Sequence, residues 1–293
     1  MGKVQETITK IMIERIEARR AAGEAVVAPW RMTWDPATGA PRNLLSGHSY
    51  RGVNLFMTLF QGYASPFWLT KKQLIKVGGT VKRSDDDKAE AYTPIVFWKF
   101  PSKDEREKGR FPFCKFYQVW NTDQISGIEN HPNLQIESKG TVDPIASAEA
   151  IVSGYHGPSL SNGGGRACYS PSRDSVSMPE MGAFESAEAY YRALFHELTH
   201  STGHRNRLAR DGIVNPIRFA SHEYSEEELV AEMGAAMLAG HAGIGADVEN
   251  SAAYLDIWLK KLKREPGMLV AAGGQAQKAA DLIRGIKWEN ADD

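Results

Sequence analysis

The chain has 293 residues, of which 42% are hydrophobic and 24% charged, and its formal net charge is −1. This length favours two domains over one. The two cysteines, Cys114 and Cys168, lie in different halves, which argues against a disulfide framework and for a reducing compartment. No run of about 18 apolar residues occurs, so we expect no transmembrane helix, no membrane partner and a cytoplasmic location.

Charge is distributed unevenly along the chain. Residues 1–130 contain 20 Lys and Arg against 14 Asp and Glu, a net charge of +6, whereas residues 131–293 contain 15 against 22, a net charge of −7. Five of the seven tryptophans lie in the first part. A basic, tryptophan-rich part joined to an acidic part suggests two tasks, and the basic part is suited to a polyanion.

The first part is predicted to be α+β. Residues 3–22 have the apolar spacing of an amphipathic helix that ends at Gly23. The Pro/Gly/Asn-rich stretch 28–52 is expected to be irregular. The remaining predicted elements are short helices at 54–62 and 70–77 and strands at 92–100 and 111–120, the strands being joined by the charged segment 101–110.

The polar stretch 129–142 has no regular pattern, so we place the domain boundary there. The first domain is predicted at 1–130, a linker at 131–142 and the second domain at 143–293. The second domain is predicted to be mainly helical. Its predicted elements are helices at 144–153, 186–203, 225–240, 251–264 and 267–284 and short strands at 167–169 and 175–178.

The segment 195–204 reads FHELTHSTGH and contains the pattern HExxH. On a helix His196 and His200 share one face, so their imidazoles can bind one metal ion, and Glu197 then lies beside that ion. There Glu197 can take a proton from a water molecule polarised by the metal and pass it to a leaving amine. The alternative is an amphipathic helix with solvated histidines. The pattern therefore predicts a metallopeptidase site.

A catalytic site of this type needs one more protein ligand. The pattern HExxHxxGxxH would require histidine at Asn206, so it is excluded. The segment 225–236, SEEELVAEMGAA, places Glu228 and Glu232 one turn apart on one helix face, which suits a ligand followed by a carboxylate that holds a ligand histidine. Ser225 and Glu228 also form the S-x-x-E pattern of a helix capping box. From spacing alone, Glu228, Glu232 or neither is the third ligand.

This glutamate pair after HExxH resembles that of gluzincin-type peptidases. The resemblance implies that Glu228 completes the ligand set with His196 and His200, and that Glu232 orients His196. A His₂Glu site discriminates weakly among divalent ions, so Zn²⁺ is the expected cofactor and Mn²⁺ the alternative.

Two further residues are candidates for contact with substrate or with a developing oxyanion. His204 extends the stripe begun by the two ligand histidines, although helix twist carries it away from the metal, so it could also cap the helix. Tyr224 lies just before the glutamate pair. Arg207 and Tyr254 are weaker candidates for the same role.

The first part brings together cations, amides and aromatic residues, which is typical of proteins that stack bases and bind phosphates of a single strand. The alternative is that the tryptophans belong to a core and the lysines to a solvated surface. The candidate DNA-binding residues are Trp30, Arg31, Arg42, Asn43, Tyr50, Arg51, Asn54, Trp68, Lys71, Lys72, Lys82 and Arg83.

Stretches 28–54, 67–81 and 116–128, with the segments PRN, YRGVN, WLTKKQ and TDQ, resemble the N-terminal domain of the ArdC antirestriction family. That domain also begins some plasmid conjugation primases. Residues 155–258, with YHG, HELTHSTGHRNRL and EELVAE, resemble the metallopeptidase domain of the same family. The resemblance implies an α+β single-stranded-DNA-binding domain fused to a mainly helical, zincin-like domain of gluzincin type. It also implies a mobile element whose incoming DNA is protected from host restriction.

Three functions remain open at this point. The first is a DNA-protecting protein that binds single-stranded DNA and cleaves an unidentified protein, with the host restriction machinery as a candidate. The second is a metallopeptidase whose first domain recognises a protein substrate. The third is a metal-stabilised DNA-binding protein without turnover. The intact Glu197 favours hydrolysis, because a purely structural metal site needs no base.

Overall fold

A computed structural model of the chain describes residues 2–83, 87–99, 101, 113–135, 143–215, 222–246 and 252–287, and the side chains at 99, 113 and 222–225 lie outside the described part. Its helices are α1 (Gly2–Ala21), α2 (Val53–Leu59), α3 (Lys71–Lys76), α4 (Pro144–Gly154), α5 (Ala187–Ser201), α6 (Asp211–Val214), α7 (His222–Ala242), α8 (Ala252–Arg264) and α9 (Met268–Ile283). Its strands are β1 (Arg42–Asn43), β2 (Phe67–Thr70), β3 (Thr80–Val81), β4 (Thr93–Lys99), β5 (Phe113–Asn121), β6 (Ile125–Ser126), β7 (Ser159–Asn162), β8 (Cys168–Ser170) and β9 (Ser175–Met178).

Local sequence signals set several helix ends. Gly23 adopts a φ of +77° just past α1, as its position predicts. Thr70 and Gln73 form a reciprocal capping box at the start of α3. Asp143 accepts hydrogen bonds from two backbone N–H groups at the start of α4, and Ser186 caps α5 in the same way. The α+β class predicted for the chain is confirmed. Within the described residues, each segment predicted as a helix or as a strand forms an element of that type.

The first part is built around a four-stranded sheet of order β1-β2-β5-β4. Strand β1 pairs in parallel with β2, and the other neighbours are antiparallel. The stretch predicted to be irregular therefore contributes an edge strand. Of the charged connection predicted at 101–110, only Pro101 lies within the described residues. A second sheet, of order β7-β9-β8, lies in the second part and leaves β8 at an edge.

One hydrophobic core spans both parts of the chain. It contains Ile8 and Ile16 of α1 together with Leu229 of α7, Trp258 of α8 and Leu269 of α9. A smaller cluster lies within the first part and includes Leu69 and Trp120. Because α1 packs on α8 and α9, the two predicted domains share a continuous apolar interior. Their predicted boundaries stay a prediction, since residues 136–142 of the linker lie outside the described part.

The two parts approach closely where α9 passes the start of α2. A Cβ added to Gly273 would lie 2.6 Å from the backbone nitrogen of Val53, closer than real atoms come. A Cβ on Gly240 of α7 would lie 2.7 Å from the Trp34 ring. Both contacts therefore require glycine. In the described part, no helix is long and apolar enough to span a membrane, and Cys114 and Cys168 are free thiols.

Candidate metal centre

Helix α5 carries the HExxH segment and turns its two histidines toward α7. Tyr190, Leu194 and Leu198 pack the opposite side of the helix into the core, where each is at most 5% exposed. Because His196 and His200 are one turn apart, this packing directs both imidazoles the same way. Their Nε2 atoms lie 3.1 Å apart.

Glu228 of α7 completes a group of three potential metal ligands. Its Oε2 lies 3.6 Å from Nε2 of His196, and its Oε1 lies 3.5 Å from Nε2 of His200. Ligand atoms about 2.1 Å from a tetrahedral metal lie roughly 3.4 Å from each other. The three separations, two of them to different oxygens of Glu228, are close to that value, so His196, His200 and Glu228 fit a divalent metal ion. Ser225 lies within α7 rather than at its N-cap, so Glu228 does not form the capping box that its spacing also allowed.

Glu227, next to Glu228, holds the second ligand histidine. Its Oε1 lies 3.0 Å from Nδ1 of His200, which leaves Nε2 of the ring directed at the metal position. Arg210 donates to both oxygens of Glu227, at 2.8 and 2.6 Å. Burial alone would raise the pKa of Glu227, but the hydrogen bonds from Arg210 and His200 outweigh it and lower that pKa. Glu227 is therefore an ionised, buried acceptor.

Arg210 also connects this carboxylate to the end of α5. Its guanidinium donates to the carbonyl of Thr199 at 2.8 Å and to the hydroxyl of Thr202 at 2.6 Å. Thr199 lies in the last turn of α5 and Thr202 is its C-cap residue, where carbonyls lack the full set of helical partners. The position of His200 is thus fixed by contacts from α5, α7 and the loop before α6.

The expected role of Glu232 is not what the structure shows. Its Oε2 lies 3.2 Å from Nε of Arg31 in the first part of the chain, and it influences His196 only through its charge. Burial lowers the pKa of His196, but the Glu228 contact and the charges of Glu197 and Glu232 outweigh burial and raise it above the ordinary value. The carboxylate that orients a ligand histidine is Glu227, and the histidine that it orients is His200.

Glu197, the predicted base, is oriented by the edge strand β8. Its Oε2 accepts a hydrogen bond from the backbone N–H of Tyr169 at 2.7 Å. The phenolic group of Tyr169 donates to Asp174 at 2.9 Å, and Arg207 binds the same carboxylate through both of its terminal nitrogens. This network keeps β8 against the HExxH helix.

The other predicted catalytic residues are placed differently. His204 follows the end of α5, accepts a hydrogen bond from the backbone of Asn206 at 3.3 Å and lies 3.9 Å from Asp174. These contacts hold the ring against the loop that follows α5, and a role of His204 in contact with substrate stays a prediction. Tyr224 lies in the first turn of α7, but its side chain is outside the described part. Tyr254 accepts a hydrogen bond from Trp30 at 3.0 Å.

A cavity of about 280 Å³ opens beside His196 and Glu197. Alanines of α5 and α7 line it, and Arg31 and Thr33 from the first part form one side. The small side chains leave room next to the position on which the three potential ligands converge. The two parts of the chain both contribute to it.

The structure corrects several of the predicted DNA contacts. Trp30 and Trp68 are 0% and 1% exposed, so neither ring offers a face to a base. Asn43 and Asn54 are held in structural hydrogen bonds with Gln73 and with the backbone of Val96. Their amides are consumed because turns and strands pack around them.

The cations predicted to contact DNA differ in their partners and in their exposure. Arg31 faces Glu232 at the metal centre, and Arg51 pairs with the buried Asp281. Arg83 is exposed and pairs with Asp87, whereas Lys82 donates to the carbonyl of Asp123. Lys71 and Lys72 are exposed on α3, and Arg42 and Tyr50 are half-buried. Burial raises the pKa of Tyr50 to about 12.

Sequence reasoning missed Glu227, Arg210 and Tyr169. Glu227 stands in a run of three glutamates, and its adjacency to Glu228 was the available signal. Arg210 follows the motif in a loop and Tyr169 precedes it by more than 20 residues, and the spacing of neither marks it as part of the site. Their roles arise only from the packing of α5, α7 and β8.

Comparison with known proteins agrees with this architecture. Residues 2–120 match the N-terminal domain of anti-restriction factor ArdC, and residues 146–275 match a zincin-like metallopeptidase domain. Crystal structures of the antirestriction protein ArdC from plasmid R388 superpose with TM-scores of 0.69 for the Mn(II)-bound form and 0.68 for the metal-free form. These chains are 31% and 30% identical to this one over 95% of its length and 97% of theirs.

Curated relatives extend the same picture. Two Escherichia coli proteins named DNA primase TraC are each 33% identical over 95% and 97% of this chain, which spans only 20% and 27% of their lengths. The protein y4eC of Sinorhizobium fredii is 31% identical over 90% of this chain and 88% of its own. The similarity thus covers both parts in one order, and the chain belongs to the ArdC antirestriction family, with a zincin-like metallopeptidase domain in its second part.

Proposed function

We propose that this chain protects incoming DNA from host restriction through two activities. The first part binds single-stranded DNA, and the second hydrolyses a peptide bond in a partner protein. The observation that carries the enzymatic half is the convergence of His196, His200 and Glu228 on one point, with Glu197 beside it. The Mn(II)-bound relative supports a divalent ion at this point, with Zn²⁺ as the expected ion and Mn²⁺ as the alternative.

The chemistry requires little beyond these groups. A divalent metal bound there supplies Lewis acidity toward a water molecule and a peptide carbonyl. Glu197 takes the proton of the attacking water on its carboxylate and delivers it to the leaving amine. The hydrogen bond from Tyr169 N–H to Oε2 of Glu197 leaves Oε1 for that proton. The cavity beside Glu197 receives a substrate side chain.

Several features support binding of single-stranded DNA. The first part has a net charge of +6 and matches the N-terminal domain of anti-restriction factor ArdC. Two relatives over nearly the whole chain are named DNA primases. Lys71 and Lys72 are exposed cations on this part, and exposed cations supply salt-dependent attraction for phosphates.

The test of the enzymatic half is the substitution Glu197→Gln. We expect the variant to bind metal as the wild type does but to lose proteolysis and protection of DNA transferred into restriction-proficient cells. His196→Ala should lose the metal as well. Glu188→Gln, on the half-buried first turn of the same helix, removes the same charge away from Glu197 and should keep both activities.

Full protection by Glu197→Gln would overturn the role of hydrolysis. It would instead favour a DNA-binding protein in which the metal only stabilises the fold. The contact between Arg31 and Glu232 gives that second candidate its support, because it ties the first part directly to the metal centre. Comparison of the protein content of the same cells with and without active protein would identify a substrate.

A further inference from the structure

A large cavity lies where the first part meets α7 and the end of α9, away from the metal centre. Its volume is about 860 Å³, near the upper end of the roughly 300–1,000 Å³ range of small-ligand sites. Residues 36–40, 43–47 and 49 form one wall. Trp34 and His241 form the other, with Arg42 and Arg284 at its edges.

The charge of this cavity is one-sided. Arg42 and Arg284 line it, and none of the lining residues that the structure describes is Asp or Glu. Neither arginine forms an ion pair within the described part of the chain. Asp281, the acid nearest in sequence to Arg284, is bound to Arg51. The cavity therefore favours an anionic ligand.

Both guanidinium groups are held in place by neutral partners. Arg42 donates to the carbonyl of Thr38 at 2.8 Å and stacks on Phe67 with its central carbon 4.5 Å from the ring centroid. Arg284 donates to Nε2 of His241 at 2.8 Å. Burial and the nearby arginines lower the pKa of His241 to about 3, so this ring is a neutral acceptor. The two arginines are thus pre-positioned by neutral partners, with the charge of Asp281 acting on Arg284 from a distance.

The remaining wall offers apolar and hydrogen-bonding groups. Trp34 packs edge-on against His241 at 4.8 Å between ring centroids, and Phe67 lies beneath Arg42. Ser46 and Ser49 are exposed residues on the facing loop, where the Ser46 hydroxyl donates to Oδ1 of Asn43 at 3.2 Å. Cations for phosphates and short polar side chains are groups that bind a single strand, whereas Trp34 and Phe67, at 8% and 5% exposure, support the wall rather than offer a face to a base.

We propose that this cavity is the site where a short segment of single-stranded DNA binds, with Arg42 and Arg284 contacting its backbone phosphates. The inference rests on the DNA-binding half of the proposed function and gives it a location. In this arrangement the exposed lysines of α3 attract the DNA phosphates only at long range and play a secondary role. It also gives the basic part a DNA-binding site that does not depend on Trp30 and Trp68, which are buried.

The experiment uses the full-length protein and a labelled oligodeoxythymidylate of about 12 nucleotides, with binding followed by fluorescence anisotropy over a salt series. Arg42→Gln/Arg284→Gln should weaken binding at least about tenfold at low salt. It should also reduce the slope of log K against log salt by about 1.4, because each phosphate contact on a single strand contributes about 0.7. Lys260→Gln/Lys278→Gln removes the same charge from exposed positions outside the cavity and should change the slope little.

Arg42→Lys/Arg284→Lys separates charge from folding. This variant retains both cations and should keep the wild-type slope, even if the loop contacts of Arg42 weaken. If the wild type binds DNA and the glutamine variant has the same affinity and slope, the cavity is not the DNA-binding site. The proposed function would then still stand. Absence of DNA binding by the wild type at low salt would overturn both.

Competition identifies the ligand class. Unlabelled oligonucleotide should displace the probe, whereas thymidine monophosphate and inorganic phosphate should compete only at much higher concentration, since each engages one cation. An acidic peptide that displaces the probe as well as the oligonucleotide does would overturn the assignment to DNA. It would mark the cavity as a site for an acidic protein segment instead.

Discussion

Nδ1 of His200 lies 3.0 Å from a carboxylate oxygen of Glu227, a residue adjacent in sequence to Glu228, the third potential metal ligand. Neighbouring positions on a helix point about 100° apart, so Glu228 reaches the metal position while Glu227 reaches behind the histidine. One turn of α7 therefore supplies both a potential ligand and the group that orients His200.

Glu227→Gln should reduce metal affinity by about 10–100-fold, the usual effect of losing a carboxylate behind a ligand histidine. The amide still fills the space but no longer stabilises the N–H of His200 with a negative charge. Metal affinity would be measured by competition with a chelating dye. Glu226→Gln removes a carboxylate from the preceding position of α7 and should leave the affinity close to that of the wild type.

Arg210 and Glu227 form an ion pair in which both side chains are nearly buried, at 5% and 6% exposure. Arg210→Ala should lower the free energy of unfolding by about 3–5 kcal/mol, because it leaves a buried carboxylate without its partner. The double variant Arg210→Met/Glu227→Leu should lose less than the sum of the two single variants. Urea unfolding of the metal-free proteins measures this, and strict additivity would mean that the pair is not coupled.

The helix that carries HExxH could be predicted from sequence because its signals are local. Apolar residues at Tyr190, Leu194 and Leu198 define a buried face, and the histidines follow from the same periodicity. The capping pattern at Ser225 was misleading because α7 has already begun there. A local pattern cannot decide between a cap and a ligand when the helix start depends on tertiary packing.

The DNA-binding residues were the least predictable part of the site. Whether a tryptophan stacks on a base or fills a core depends on what packs against it, and neither Trp30 nor Trp68 carries that information in its neighbours. Tertiary packing likewise decides which carboxylate orients a ligand histidine. The rotation of α7 against α5, which no periodicity fixes, selects Glu227 over Glu232.

Gly273 and Gly274 make a matched pair for testing the contact between the two parts. Gly273→Ala should destabilise the protein by about 1–3 kcal/mol, because the added methyl group meets the backbone of Val53. A Cβ at Gly274 meets nothing within 4 Å, so Gly274→Ala should stabilise by about 0.5–1 kcal/mol through helix propensity. Thermal unfolding distinguishes them, and equal effects would contradict a close contact at Gly273.

Metal binding should be visible as thermal stabilisation. A divalent ion at about 100 times its dissociation constant adds roughly 2.7 kcal/mol to the free energy of unfolding, which is several degrees in Tm for a protein of this size. His200→Ala should remove the response to both Zn²⁺ and Mn²⁺. His48→Ala, which removes an exposed histidine elsewhere, should retain it. A full response in His200→Ala would place the metal at another site.

Asp174 should give the protein an acid-sensitive component of stability. Hydrogen bonds from Arg207 outweigh burial and, together with the bond from Tyr169, lower the pKa of Asp174 below its usual value of 3.8. A carboxylate with a lowered pKa stabilises the fold above its ordinary pKa, and this contribution is lost as the pH falls through the lowered value.

Asp174→Asn keeps the left-handed backbone at this position (φ +47°), which asparagine tolerates. The wild type should therefore exceed this variant in free energy of unfolding at about pH 5–7, and the difference should shrink below about pH 4. Urea unfolding across that range measures the difference. In a protein that also carries Arg207→Gln, which removes the partner of Asp174, the effect of Asp174→Asn on the free energy of unfolding should be smaller at every pH. A difference that grew toward acid would contradict the ion pair between Asp174 and Arg207 that holds Tyr169 and β8 against Glu197.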